Sequence, residues 1–195
     1  MASAIAWASG LPAAPVVCAA VNFAAALVMA FVLAPATPIV TDAAERSMYV
    51  QTHLLAWRIG WAVWIAAALS LLWFYAWWRG RIGPSFIPVV IAASGFIADV
   101  TSETMLILYD TTTAPFAFGL TGVVANGLYT ICGIWLTLVM PLSTMERIWA
   151  AVMWAAGITL SVATLAGLYV LAAVATAVLF ALFCPWCVYL AAKLR

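Results

Sequence analysis

Charge is nearly missing from this chain. Charged residues fill 7% of its 195 positions and hydrophobic residues 69%, with a mean hydropathy of +1.19. Soluble domains carry about a quarter charged residues, so a soluble globule is excluded. The formal net charge of +1 gives no basic footprint for a phosphate backbone, and no nucleic-acid partner is expected. Histidine occurs once, at His53, which excludes a bis-histidine haem. Lysine occurs once, at Lys193, after the last apolar run, which excludes a retinal Schiff base within a span. No H-E-x-x-H, G-x-S-x-G or P-loop pattern is present. Intramembrane metalloprotease and nucleotide-driven chemistry are therefore not expected. Neither a metal nor a cofactor is expected. The segment "MASAIAWASGLPAAP" lacks a positive n-region, so no cleaved signal peptide is expected.

What the chain does have is long apolar runs rich in Ala and Leu. A spanning helix needs about 20 residues plus a short connection, which leaves space for about six spans and no separate soluble domain. The runs lack the dyad alternation of a membrane β-barrel. The expected fold is all-α: a polytopic transmembrane helical bundle with short loops, a single integral membrane domain over 1–195. The spans fall at about 14–35, 53–78, 86–109, 117–140, 148–166 and 170–192. The last two share one apolar stretch from Ile148 to Ala192, too long for one crossing, so a tight hairpin is placed at Ala166-Gly167-Leu168.

With this topology Arg79, Arg81, Arg147, Lys193 and Arg195 fall on one side, and Arg46 lies alone opposite. Basic loops stay cytoplasmic, so both termini are expected in the cytoplasm, in a bacterial plasma membrane. Trp73, Trp77, Trp78, Trp149 and Trp186 fall near the inner interface and read as an aromatic belt. In the long outer connection Thr41 or Asp42 is a candidate N-cap with Glu45 at capping-box spacing, which predicts a short helical segment from Asp42 to Tyr49.

The third run contains "GFIADVTSET". Asp99 and Glu103 stand there at i and i+4 and share a helix face, with Gly95 and Ser102 on or beside it. A charge at mid-bilayer costs about 2.5–3.5 kcal/mol on insertion scales, and two like charges repel. The expected state is a pair sharing a proton or a pair offset by a cation. By depth the available cation is Arg58, with His53 at the same helix end. Two outcomes are open for Arg58: an ion pair with Glu103, or snorkelling to the headgroups. Asn126 and Tyr129 lie near the depth of Asp99 on one face of the fourth span. Trp57, Trp61 and Trp64 recur at i, i+4 and i+7 as an aromatic stripe on the second.

These groups predict an outward-facing, polar, aromatic-walled pocket between spans two, three and four. Asp99 and Glu103 are its candidate catalytic carboxylates. Arg58, His53, Trp57, Trp61, Asn126 and Tyr129 are its candidate ligand-binding residues. Each has a blander assignment: His53 as an interfacial residue, the stripe as packing, Asn126 and Tyr129 as interhelical hydrogen bonds. Asp99 is the hardest to explain by packing, being too short and too deep to snorkel.

Cys18, Cys132, Cys184 and Cys187 map to the inner half, the last two as "CPWC". A C-x-x-C suits a redox pair or half a metal site, but this one falls on the side where thiols stay reduced. Structural filler is expected, and a quinone-linked thiol oxidoreductase is the lesser reading. Three function classes follow. The first is an acid–base enzyme (isomerase or cyclase type) or a binder for a lipidic or isoprenoid-like small molecule. The second is a proton-coupled small-solute transporter, and the third a structural subunit of a membrane complex. The expected partners are membrane lipids, a hydrophobic or amphipathic small molecule, and further copies of the chain or a larger membrane assembly.

Overall fold

A computed structural model describes residues 12–83, 85–109, 114 and 116–194. The expectations for the amino-terminal segment, for most of the 110–116 loop and for Arg195 lie outside the described residues. Helix α1 spans Ala13–Ala36, the short α2 Ala43–Thr52, α3 Leu54–Ile82, α4 Ile87–Leu108, α5 Ala117–Val139, α6 Thr144–Leu165 and α7 Tyr169–Lys193. All but α2 are long and apolar enough to cross a membrane. The chain is an all-α integral membrane bundle, the form in which a backbone can satisfy its own polar groups without water.

Consecutive spans lie side by side and α7 closes on α1, so the six spans form a ring in chain order. One end of the ring carries Arg79, Arg81 and Lys193 in the last turns of α3 and α7. There Lys193 pairs with Glu146, near the start of α6, and the Tyr189 hydroxyl donates to the same carboxylate. The opposite end carries the end of α1, all of α2 and the α6–α7 hairpin.

Local chemistry sets the helix limits. Asp42 caps α2 by accepting from the amides of Ala44 at 2.8 Å and Glu45 at 3.3 Å. The Tyr49 hydroxyl then donates to the Val32 carbonyl at 2.8 Å and fastens α2 to α1. Helix α6 starts at Thr144, before the apolar run, because Ser143 and Glu146 form a capping box. It ends at Gly167, whose φ of 72° suits glycine. The Leu168 amide reaches back to Ala163 O at 2.8 Å and Gly167 N to Thr164 O at 3.1 Å, a Schellman turn. Three stretches depart from α geometry: Met29–Leu33 in α1 and Leu120–Ala125 in α5 are π-helical, and α1 ends in a 3₁₀ turn at Ala34–Ala36.

The tryptophans at the basic end depart from the belt expectation. Trp73 is 49% exposed, but Trp78 and Trp186 are fully buried. Trp186 meets Trp149 edge-on at 5.3 Å and Trp78 at 6.4 Å, and Phe74 meets Phe183 at 5.7 Å. These rings point inward and fill the end of the ring rather than the interface.

Helices α5 and α6 approach closely over small residues. A β-carbon added at Gly133 would stand 2.2 Å from the Trp154 ring, whereas one at Gly119 would meet nothing within 4 Å. Gly133→Ala is expected to cost about 1–3 kcal/mol by overpacking, and Gly119→Ala to be neutral or slightly stabilising. Thermal unfolding in detergent compares them; equal midpoints would refute this packing account.

Candidate functional site

A cavity of about 500 Å³ occupies the centre of the ring, within the range of small-molecule sites. Every span contributes wall, through Asn22, Trp61, Asp99, Tyr129, Trp154 and Phe180 among others. The sequence placed the pocket between the second, third and fourth spans; because the ring closes, the first, fifth and sixth bound it as well. The wall is mainly apolar and aromatic. It reaches Pro38, Ile39 and Tyr169 at the α2 end. Toward the basic end Tyr75, Trp154 and Phe183 form the floor, with the buried Phe74, Trp78 and Trp186 behind it.

Asp99 is 6% exposed and lies on the cavity wall. The Thr121 hydroxyl donates to its Oδ1. Thr121 belongs to the π turn of α5, and π turns recur at functional sites because the extra residue re-aims side chains. The π turn of α1 also borders the cavity, through Met29 and Ala30. Helix α5 can approach because Gly95 faces it: a β-carbon there would stand 3.1 Å from the Tyr129 ring and 3.2 Å from the Ala125 carbonyl oxygen. The Tyr129 hydroxyl is thereby brought beside the Asp99 carboxylate, outside hydrogen-bond geometry, and has no partner among the described residues.

The other expected site residues divide by angle around their helices. Glu103 is fully buried, one turn beyond Asp99, behind the cavity wall. Neither of its carboxylate oxygens has a hydrogen-bond partner among the described residues. Arg58 is exposed and forms no ion pair with it; the Lys193–Glu146 ion pair lies at the far end. The reason is rotation: Arg58 follows the inward-facing Trp57 by one residue, roughly 100° of turn. His53 is exposed at the α2–α3 junction, stacked on Tyr49 at 4.4 Å and away from the cavity.

Trp57 is buried but off the wall; its indole donates to the Leu106 carbonyl at 2.6 Å, one of the acceptors left open in the last turn of α4. Trp61 and Trp64 are on the wall. Asn126 is there too, with its amide donating to Gly157 O and Ser161 Oγ of α6, both at 2.8 Å. The structure thus brings Asp99, Trp61, Asn126 and Tyr129 together, sets Glu103 and Trp57 behind them, and leaves Arg58 and His53 outside.

Sequence reasoning missed Thr121, since nothing in "FGLTGVVAN" marks a π turn. Asn22 also lines the cavity and donates to Ser70 Oγ at 3.1 Å and to Cys18 O at 2.9 Å. All four cysteines are free and buried. Among the described residues no three His, Cys, Asp or Glu side chains gather as a metal site. Comparison of the chain with family models, curated proteins and solved structures found no match, so the functional reading rests on geometry.

Trp57→Phe strips the Leu106 carbonyl of its donor, which costs about 1–3 kcal/mol for a buried group. The Trp61 indole N–H has no partner among the described residues, so Trp61→Phe should cost clearly less. Thermal midpoints of the two variants decide; the reverse order would remove the hydrogen bond as the cause.

Proposed function

We propose that the chain binds a lipidic or isoprenoid-like small molecule in its central cavity, with Asp99 meeting the ligand's polar group and exchanging a proton with it. The observation that carries this reading is a carboxylate on the wall of a mainly apolar and aromatic cavity of about 500 Å³. Proton exchange needs no metal and no redox partner, and ring faces beside the carboxylate favour any positive charge that develops. The distribution of basic residues puts the α2 end outward, so the ligand enters from outside or from the outer leaflet. A proton-coupled carrier would use the same carboxylate, but its substrate would have to pass the packed rings at the basic end; this favours an enzyme or binder.

Farnesol serves as a neutral test ligand. It should raise the thermal midpoint of the purified protein. Ala173→Trp, which places an indole on the cavity wall, should abolish that rise. No rise in the wild-type protein would reject the cavity as a binding site. Asp99→Leu removes a desolvated carboxylate that faces Glu103, so it should melt at or above the wild-type temperature while losing the farnesol response. Asp99→Asn, which keeps an acceptor for Thr121, should retain the response. A lower midpoint for Asp99→Leu with the response intact would assign Asp99 to helix packing, as in a structural subunit.

A further inference from the structure

Among the described residues, no basic side chain is paired with the acids at this site. Asp99 lies on the cavity wall and Glu103 is buried one turn behind it. Glu103 lacks any hydrogen-bond partner among the described residues, and Asp99 has the Thr121 hydroxyl. Among the described residues no Lys, Arg or His contributes to the wall. The Lys193–Glu146 ion pair stands at the other end of the bundle. A carboxylate in low dielectric needs a proton or a cation beside it.

The surroundings of Asp99 suit a cation of one kind. A compact ammonium ion or a metal ion would need several oxygen ligands close together, and here the wall is mainly apolar and aromatic, with Asp99 the one carboxylate among its described residues. Trp61 and Phe118 meet edge to face at 5.9 Å, Trp64 and Phe180 at 5.7 Å, and Tyr75 and Tyr129 lie stacked at 6.4 Å. All six residues line the cavity. Aromatic faces attract a cation whose charge is spread over carbon-bearing substituents, and most strongly where water is excluded. Tyr129, 7% exposed, lines the cavity, and its buried hydroxyl, beside the carboxylate, has no hydrogen-bond partner among the described residues.

We propose that the cavity selects a lipophilic organic cation, an amine or onium group seated between Asp99 and the aromatic walls. The proposal rests on the cavity reading above and narrows the ligand to one that carries positive charge when bound. Asp99 is then the counter-ion, and Glu103, buried behind the wall, does not touch the ligand.

Three probes of like size and shape test it on the full chain in detergent: tetraphenylphosphonium, tetraphenylborate and triphenylphosphine oxide. Radiolabelled tetraphenylphosphonium should bind saturably, about one per chain. Triphenylphosphine oxide should compete at least about ten-fold less well than unlabelled phosphonium, and tetraphenylborate less still, as for the loss of one charge-assisted contact. Asp99→Asn should weaken phosphonium binding about ten-fold or more while its farnesol response persists. Ala173→Trp should abolish the binding of both. If the oxide or the borate competes as well as the phosphonium, the cation inference is overturned on wild-type protein alone, whatever the variants do. If farnesol binds and is blocked by Ala173→Trp while phosphonium shows no preference, the cavity reading stands and this inference fails. If no probe binds, both fail.

Discussion

A carboxylate in the middle of an apolar helix has no water to solvate it, and the contact between α4 and α5 shows how that demand is met at Asp99. The Thr121 hydroxyl supplies the hydrogen bond. For it to do so, α5 must come close to α4, and Gly95 leaves the space for it. Thr121 must also turn toward α4, and the π geometry of Leu120–Ala125 orients it there. Asn126, immediately after that turn, ties α5 to α6. One buried acid is therefore tied to the placement of two helix interfaces.

The rest of the bundle divides its labour by side-chain size. Small residues set the close contacts: Gly157 against Thr130 and Gly133 against Trp154 leave no space for even one added carbon. In lipid, where burial of apolar surface gives no drive between helices, such close approach is what holds them. Large rings do the opposite work at the basic end, where they fill the space that a ring of six helices leaves at its axis. Above them the axis is left open, and this is where Asp99 faces inward.

Hydropathy and length made the fold legible, because long apolar runs with few charges admit little but spanning helices. The hairpin at Ala166–Leu168 was placed from length alone, and the structure turns there on a glycine in the left-handed region. The site was legible in part. The i, i+4 spacing set Asp99 and Glu103 on one face, and the i, i+3 spacing set Asn126 with Tyr129 on another. Depth along the membrane was a poorer guide than angle about the helix. Arg58 and Glu103 share a depth yet point apart, and Trp78 and Trp186 sit at interface depth yet point to the axis. Thr121 was invisible because its role depends on a change of helical pitch, which no residue type in that stretch announces. Ser143 and Glu146 did carry a readable capping-box spacing, but it precedes the apolar run that set the expected start.

The π turn in α5 also says where the site's information is stored. A π turn holds one residue more than the α turn it replaces, so loss of any single residue between Leu120 and Ala125 would let the helix relax to ordinary pitch. The helix on either side would keep its register, because the residue lost is the one by which a π turn exceeds an α turn, and only the side chains of the turn itself would be re-aimed. Hydropathy, span length and composition would barely change, and every residue of the cavity wall but one could still be present. Thr121 would nonetheless face away from Asp99. The acid's environment is encoded in a count of residues as much as in their identity, so drift in the length of this segment would erase the site more thoroughly than most drift in its sequence.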